Sequence, residues 1–515
     1  MTANGPPSGT VKRVISFPRK FNPGCTAIEQ VRPAKRMAKI VKDGSRPALA
    51  TPEPRGQAGT MSTTTTTQPS HLQHSARPQA GRSRIGSVVA ASMATGLAAA
   101  VLLVAAPIAP AEENMLTGMV LLGFALGWSL LAVLSVRITD QPQRWAAAPA
   151  AFMGVVSLAL LVGSAAVHAL LSWVWPPALF GLVVWMVVRA RRQVGSRGAR
   201  WLLYLVLAVL GIAAGGGGYE TVRESVDARA YPPPGQLVDV GGHRLHLSCT
   251  GSGSPTVVLE PGQGGVSLDL AWITPAIARD SRVCVYDRAG RGWSDAADGP
   301  QDGAQIAADL HTLLDRAHVP GPYVLAGHSF GGLYVQSFAA QFPDDVAGLV
   351  LLDSTAPKPG PARPPRNSDN VLGRVSALVP AVAHLGVGRL IAQSSYGSLP
   401  PHVRDEWRAN ASLTRNLGSW IEEFVASNTS MQQAAALTNL DAKPLIVLTA
   451  DTGNGPGWEQ KQDLMARLST NSLHRVAEAT THNSMVSDDA DSAAATQAIQ
   501  DVVAAVRTEH PLAPR

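Results

Sequence analysis

The residues best placed to do chemistry are Gly327-His328-Ser329-Phe330-Gly331, with Gly332 directly after them. A serine hydroxyl is a weak nucleophile until a neighbouring base takes its proton, so the chemistry on offer is covalent attack on a carbonyl. The spacing alone is a weak signal. With 48 glycines in 515 residues, chance supplies about 0.3 such matches in a chain of this length. Context strengthens it. Val324-Leu325-Ala326 reads as an apolar strand leading in, and residues 333–340 are compatible with a helix leading out. A strand-to-helix turn that sharp needs glycine at its flanks and forces the serine into a strained, exposed pose. The Phe330 N–H then points at a developing oxyanion, at the positive end of the following helix.

The elements needed to position such a turn are visible around it. After a Pro-rich spacer (231–235), short β-rich runs alternate with helical stretches. Residues 237–240 and 243–249 read as a hairpin around Gly241-Gly242. Buried strands are expected at 256–260, 282–286, 323–326, 347–353, 445–449 and 473–477, with helices around 304–317, 330–341 and 491–506. Strands alternating with helices imply an α/β domain with a largely parallel sheet covered on both faces.

The segment resembles the nucleophile elbow of the α/β-hydrolase superfamily, and the resemblance covers roughly residues 236–508. Val257-Val258-Leu259-Glu260-Pro261-Gly262-Gln263-Gly264-Gly265 resembles the oxyanion loop after the third strand. The His-Gly pair common there is replaced by Pro261-Gly262, and Gln263 N–H is taken by position as the second donor beside Phe330 N–H. Tyr286-Asp287-Arg288-Ala289-Gly290-Arg291-Gly292-Trp293-Ser294-Asp295 is similar to the D-R-x-G-x-G-x-S segment, with Asp287 and Arg288 expected to pair and brace the loop.

The resemblance implies a general base near the C-terminus, and His482, in Thr480-Thr481-His482-Asn483-Ser484, holds that place. An imidazole titrates close enough to neutrality to take the serine proton and return it to a leaving group. His474, His510, His384 and His402 fit less well, and His328 is expected to pack beside the elbow. Two carboxylates, Asp353 and Asp451, each follow a strand in the required order. Asp353 is preferred and Asp451 is the alternative. Residues 354–443 between these strands correspond to the superfamily's helical cap. The core is thereby divided into 236–353 and 444–508, with a tail at 509–515.

The first 235 residues are different in kind. Residues 1–84 are rich in Pro, Gly, Ser, Thr and Arg, with a five-threonine run at 63–67, and such a composition buries too little to offset its ordering entropy. A disordered basic tail is expected there, without the pattern of a secretory signal peptide. Nothing before Arg82 looks structural, so Met37 and Met61 are alternative starts. Residues 85–218 contain long uncharged runs at 85–111, 115–136, 145–188 and 201–218. About 20 apolar residues span a bilayer as helix, so five spans are expected, the 145–188 run turning near His168. A linker is expected at 219–235. Arg137 and Arg144, then Arg189, Arg191, Arg192, Arg197 and Arg200, fall on the side of the tail. By the positive-inside tendency the tail is cytoplasmic and the domain after residue 218 lies outside.

The charge balance agrees. Residues 1–86 carry 14 Lys/Arg against 3 Asp/Glu, and the remainder carries 29 against 34, so the basic character belongs to the tail and no nucleic-acid surface is expected. No metal or cofactor site is suggested, since the Gly215–Gly218 run lacks the Lys-Ser/Thr of a phosphate loop. Cys25 lies in the tail. Cys249 and Cys284 fall on strands that the resemblance makes neighbours, and an outside location favours a disulfide between them.

These features point to a membrane-anchored serine hydrolase acting on a small-molecule ester or amide beside the lipid bilayer. Serine at the elbow disfavours the Asp-nucleophile reactions of epoxide hydrolases and haloalkane dehalogenases. The rival readings are acyl transfer and a catalytically inactive binding domain on a membrane anchor. A transporter is disfavoured, because no charged residue lies inside a span.

Overall fold

The computed structural model describes residues 84–513 except 111, 298, 300, 361–370 and 396. The basic segment expected to be disordered lies outside the described residues, apart from its last position. The N-terminal part consists of five helices, α1 (Ile85–Ala105), α2 (Glu113–Ile138), α3 (Ala147–Val162), α4 (Ala165–Gln193) and α5 (Arg197–Ala230). All five, the third counted from Arg144, are long and apolar enough to cross a membrane, with mean hydropathies of 1.8 to 2.3. Lipid gives no hydrophobic incentive for apolar helices to associate, so they pack where small residues allow close approach. A Cβ at Gly96 of α1 would lie 2.9 Å from the Gly127 Cα of α2. Ser157 of α3 donates to the Gly118 carbonyl of α2 at 2.7 Å.

Two boundaries differ from expectation. The turn between the third and fourth helices falls at Gly163-Ser164, where the backbone is extended, and not near His168. The expected linker at 219–235 is mostly helix, since α5 runs on to Ala230. The glycine run at 215–218 suggests a stop because glycine is a poor helix former. It serves instead for close packing: side chains at Gly216 and Gly217 would collide with the Leu385 carbonyl and the Trp175 ring.

The rest of the chain alternates strands and helices. In order come β1 (Gln236–Asp239), β2 (Arg244–Thr250), β3 (Thr256–Glu260), α6 (Ile273–Ile277), β4 (Val283–Tyr286) and α7 (Gly303–Arg316). Then follow β5 (Tyr323–His328), α8 (Gly331–Gln341) and β6 (Val346–Leu352). Between β6 and β7 the described residues form α9 (Val371–Ser376), α10 (Val379–Ala383), α11 (Val387–Gln393), α12 (Pro401–Ala411), α13 (Thr414–Val425) and α14 (Ser427–Ala434). The chain closes with β7 (Leu445–Thr452), α15 (Trp458–Ala466), β8 (Ser472–Thr481), α16 (Ser484–Ser487) and α17 (Asp489–Thr508).

The eight strands make one sheet in the order β1-β2-β4-β3-β5-β6-β7-β8. Only β2 runs against its neighbours, and every pairing from β4 to β8 is parallel. Central strands covered on both faces must be apolar throughout, and β3, β4 and β5 are buried at every position. On one face Leu310, Leu313 and Leu314 of α7 and Val335 and Phe338 of α8 meet the sheet. On the other, Ile273 and Ile277 of α6 and Ile499 and Val502 of α17 do so. Each such aliphatic side chain contributes about 1.5–3 kcal/mol on burial. Asp302 caps α7 by accepting from Gln305 N–H at 3.1 Å. Cys249 and Cys284 face each other across β2 and β4 and are joined, with an S–S distance of 2.07 Å.

Candidate active site

Ser329 sits in the two-residue turn between β5 and α8, at φ +55°. The left-handed region is unusual for a residue with a side chain and persists only where the surroundings enforce it. Here the enforcement is steric and hydrogen-bonded. Ser329 N–H donates to the Leu352 carbonyl (3.1 Å), and Thr355 N–H donates to the Ser329 carbonyl (3.0 Å). Cβ atoms at Gly331 and Gly332 would press on the Glu260 carbonyl and the Ser354 side chain, so the helix starts this close to β3 and β6 only with glycine. The turn lifts Ser329 Oγ out of the strand ends.

His482 follows β8 and reaches back to the turn. Ser329 Oγ–H donates to His482 Nε2 at 2.9 Å, and His482 Nδ1–H donates to Asp353 Oδ2 at 2.6 Å. Asp353, directly after β6, is fully buried, whereas the His482 side chain is 35% exposed and reachable from solvent. Asp353 also accepts from Ala450 N–H (3.1 Å), Asn454 Nδ2 (3.3 Å) and Trp458 Nε1 (2.8 Å). Burial pushes its carboxyl up, but the donors, His482 first, outweigh that and hold it below the usual carboxylate range. An ionised Asp353 can only accept, which assigns the proton to Nδ1 and leaves Nε2 free to take one.

Of the two carboxylates left open above, Asp451 does not reach His482. It lies within β7 and accepts from Ala479 N–H and Thr480 N–H at 2.9 and 3.1 Å, tying the β7 bulge to β8. His474 pairs with Asp463 and Thr449, and His384 with Thr414 and Glu113. His402 and His510 are exposed. His328 packs beside the elbow and donates Nε2–H to the His482 carbonyl at 2.8 Å.

The Pro261–Gly265 loop comes against the serine, a Cβ at Gly262 lying 3.1 Å from Ser329 Cβ. Neither the Phe330 nor the Gln263 amide has a protein acceptor among the described residues. Asp287 and Arg288 do not pair, contrary to expectation. Successive extended residues point to opposite sides, so Asp287 meets His246 (2.8 Å) and Ser267 N–H (2.7 Å). Arg288 braces the loop with other partners: Glu260 (2.6 Å), the Pro261 and Gly262 carbonyls (3.0 and 2.8 Å) and Glu423 of α13 (2.8 Å). Glu423 also accepts Gly264 N–H at 2.7 Å. Burial raises Glu260 to about 7, against the pull of Arg288 and Tyr286. Trp458, Asn454 and Glu423 carry no local sequence signal, because they meet the site only through long-range packing.

The burial of His328 has a testable consequence. Desolvation, then the neighbouring His482, lower it from 6.5 to about 3. Between those values the unfolded chain binds a proton that the folded chain refuses, so stability falls as pH drops, by up to about 1.4 kcal/mol per unit. The thermal midpoint of His328→Gln is expected to fall less steeply with acidification than that of wild type. Parallel pH profiles would contradict this.

Comparison with known proteins adds further observations. Residues 255–489 match the family model described as alpha/beta hydrolase fold. An uncharacterised protein of Schizosaccharomyces pombe (strain 972) is 28% identical over 62% of this chain and 62% of its own length. The uncharacterised protein YbdG of Bacillus subtilis (strain 168) is 25% identical over 27% of this chain and 44% of its own. The chain therefore spans less than two thirds of these curated relatives. A thermophilic esterase from Thermogutta terrifontis superposes over 53% of this chain and 99% of its own, at 23% identity and a TM-score of 0.39.

Proposed function

We propose, for a chain that joins an α/β-hydrolase-fold domain to five helices long and apolar enough to cross a membrane, a membrane-anchored serine hydrolase that cleaves esters. The observation that carries this reading is the relay from Ser329 through His482 to Asp353. In the proposed reaction His482 Nε2 takes the Ser329 proton as Oγ attacks the substrate carbonyl. The tetrahedral oxyanion is held by the Phe330 and Gln263 N–H groups, with the first turn of α8 adding its positive end. The imidazolium, stabilised by Asp353, then protonates the leaving alkoxide, leaving an acyl group on Ser329. Water, deprotonated by His482, releases the acid and restores the serine. Amide cleavage and acyl transfer to another hydroxyl use the same machinery and rank behind ester hydrolysis. The discriminating experiment is a screen of p-nitrophenyl esters of graded chain length against amino-acid anilides. Turnover of esters with little or none of anilides supports the assignment; inertness to both would overturn it.

The catalytic domain is proposed to face away from the cytoplasm. Arg137 and Arg144, with Arg189, Arg191 and Arg192 at the end of α4 and Arg197 and Arg200 at the start of α5, lie at one end of the bundle, and an odd number of spans puts β1 at the other. The Cys249–Cys284 bond supports an oxidising compartment. A periplasm-type reporter fused after Pro232 is expected to be active, and fusions after Arg144 or Arg200 inactive. The reverse pattern would place the enzyme inside.

A further inference from the structure

The helices between β6 and β7 are seated on the membrane helices as well as on the hydrolase core. Arg374 of α9, buried, donates to the Val104 carbonyl (2.5 Å) and the Ala109 carbonyl (2.7 Å), where α1 ends. Arg389 of α11, also buried, binds Glu220 (2.9 Å) and Asp227 (2.7 Å) on the extension of α5. Helix ends expose carbonyls without partners, and cations satisfy them. The turn between α10 and α11 packs its Leu385 carbonyl directly on Gly216. Gly216 lies four residues before Glu220, the first charge after the apolar run of α5. At 1.5 Å per helical residue that is about 6 Å toward the membrane interior, the depth at which interfacial helices lie.

The outer face of this turn suits such a depth. α10 and α11 belong to an apolar pair of segments bent by 76° to one another. Ala383, Gly386, Arg389 and Ala392 point inward, and Gly386 turns the chain at φ +83°. Val382, Val387, Leu390 and Ile391 point away, at 48, 39, 69 and 63% exposure. Arg389 is the only Lys, Arg, Asp or Glu in residues 379–393, and it is turned in. An aliphatic face whose one ionisable side chain, His384, is turned to Glu113 of α2 is unusual on a water-facing surface. It adjoins helices that are long and apolar enough to cross a membrane. The same insertion reaches the site at its other end, since α13 packs Gly418 on Pro380 of α10, Trp420 on Gly264 and Glu423 on Gly264 N–H.

We propose that α10 and α11 lie in the bilayer interface and that the substrate is an acyl ester dissolved in the bilayer, reaching Ser329 from the membrane side of the insertion. The substrate part rests on the hydrolase reading; the seating of the helices does not, and the two are tested separately. For the seating, the full chain carrying Cys25→Ser and Leu390→Cys is labelled with an environment-sensitive nitrobenzoxadiazole probe and reconstituted in phosphatidylcholine vesicles. Blue-shifted emission quenched by headgroup-proximal nitroxide lipid is expected. Water-like, unquenched emission would overturn the proposal whatever the activity. For the substrate, the Leu390→Asp/Ile391→Asp protein is assayed on a long-chain fluorogenic ester in vesicles and on soluble p-nitrophenyl acetate. A loss of about tenfold or more on the first, with the second held within about twofold, is expected. Equal rates to wild type on both esters, or equal losses on both, would overturn the membrane-borne substrate. Quenched probe with no wild-type hydrolysis of either ester would remove the hydrolase reading and the ester with it, while the seating of α10 and α11 would stand.

Discussion

Replacing Ser329 by alanine is expected to lower kcat toward p-nitrophenyl esters by about 10^6-fold while leaving the thermal midpoint nearly unchanged. The hydroxyl makes one side-chain hydrogen bond, to His482, and the backbone bonds that hold the turn survive the change. His482→Ala should cost a similar factor. Because the two groups act on one proton, the double variant should be little worse than either single one. Additive losses would mean that the hydroxyl and the imidazole work independently. Substantial activity in Ser329→Ala would end the assignment.

The second large effect separates the two carboxylates. Asp353→Asn should lower kcat by about 10^4-fold, since an amide that donates to Nδ1 forces the imidazole into the tautomer that cannot accept the serine proton. Asp451→Asn should leave kcat within about twofold and stability little changed, since an amide oxygen still accepts from the two backbone amides. Reversal of the two effects would make Asp451 the partner of His482 in the working enzyme.

The parts of this molecule that could be read from residues are those with local causes. The apolar strands, the glycines around Ser329 and the uncharged helices each announce themselves within a dozen positions. The choice between Asp353 and Asp451 could not be read in that way. Both end or near-end strands that lie side by side, and their separation from His482 depends on the β7 bulge and on where Ala479 and Thr480 send their amides. Arg288 shows the same limit. Its role in bracing the loop is legible, but its partners Glu260 and Glu423 stand 28 and 135 residues away. The end of α5 was obscured by a conflict of scales. Glycine propensity argues for a stop at 215–218, and packing against Leu385 and Trp175 overrides it.

Trp458 illustrates a signal that exists only in three dimensions. As the first residue of α15 it could be core, surface or site, and its indole N–H on Asp353 becomes visible once β7 is laid beside β6. After His482, it and the Ala450 N–H help to keep the carboxylate ionised in a buried place, where desolvation alone would favour the neutral acid.

Treatment of the full chain with a fluorophosphonate, followed by proteolysis and mass mapping, tests whether Ser329 is an activated nucleophile. One adduct is predicted, on Ser329, absent from Ser329→Ala and formed more slowly by about 10^2-fold or more in His482→Ala. A wild-type protein that takes no label, or takes it on another residue, would contradict the mechanism.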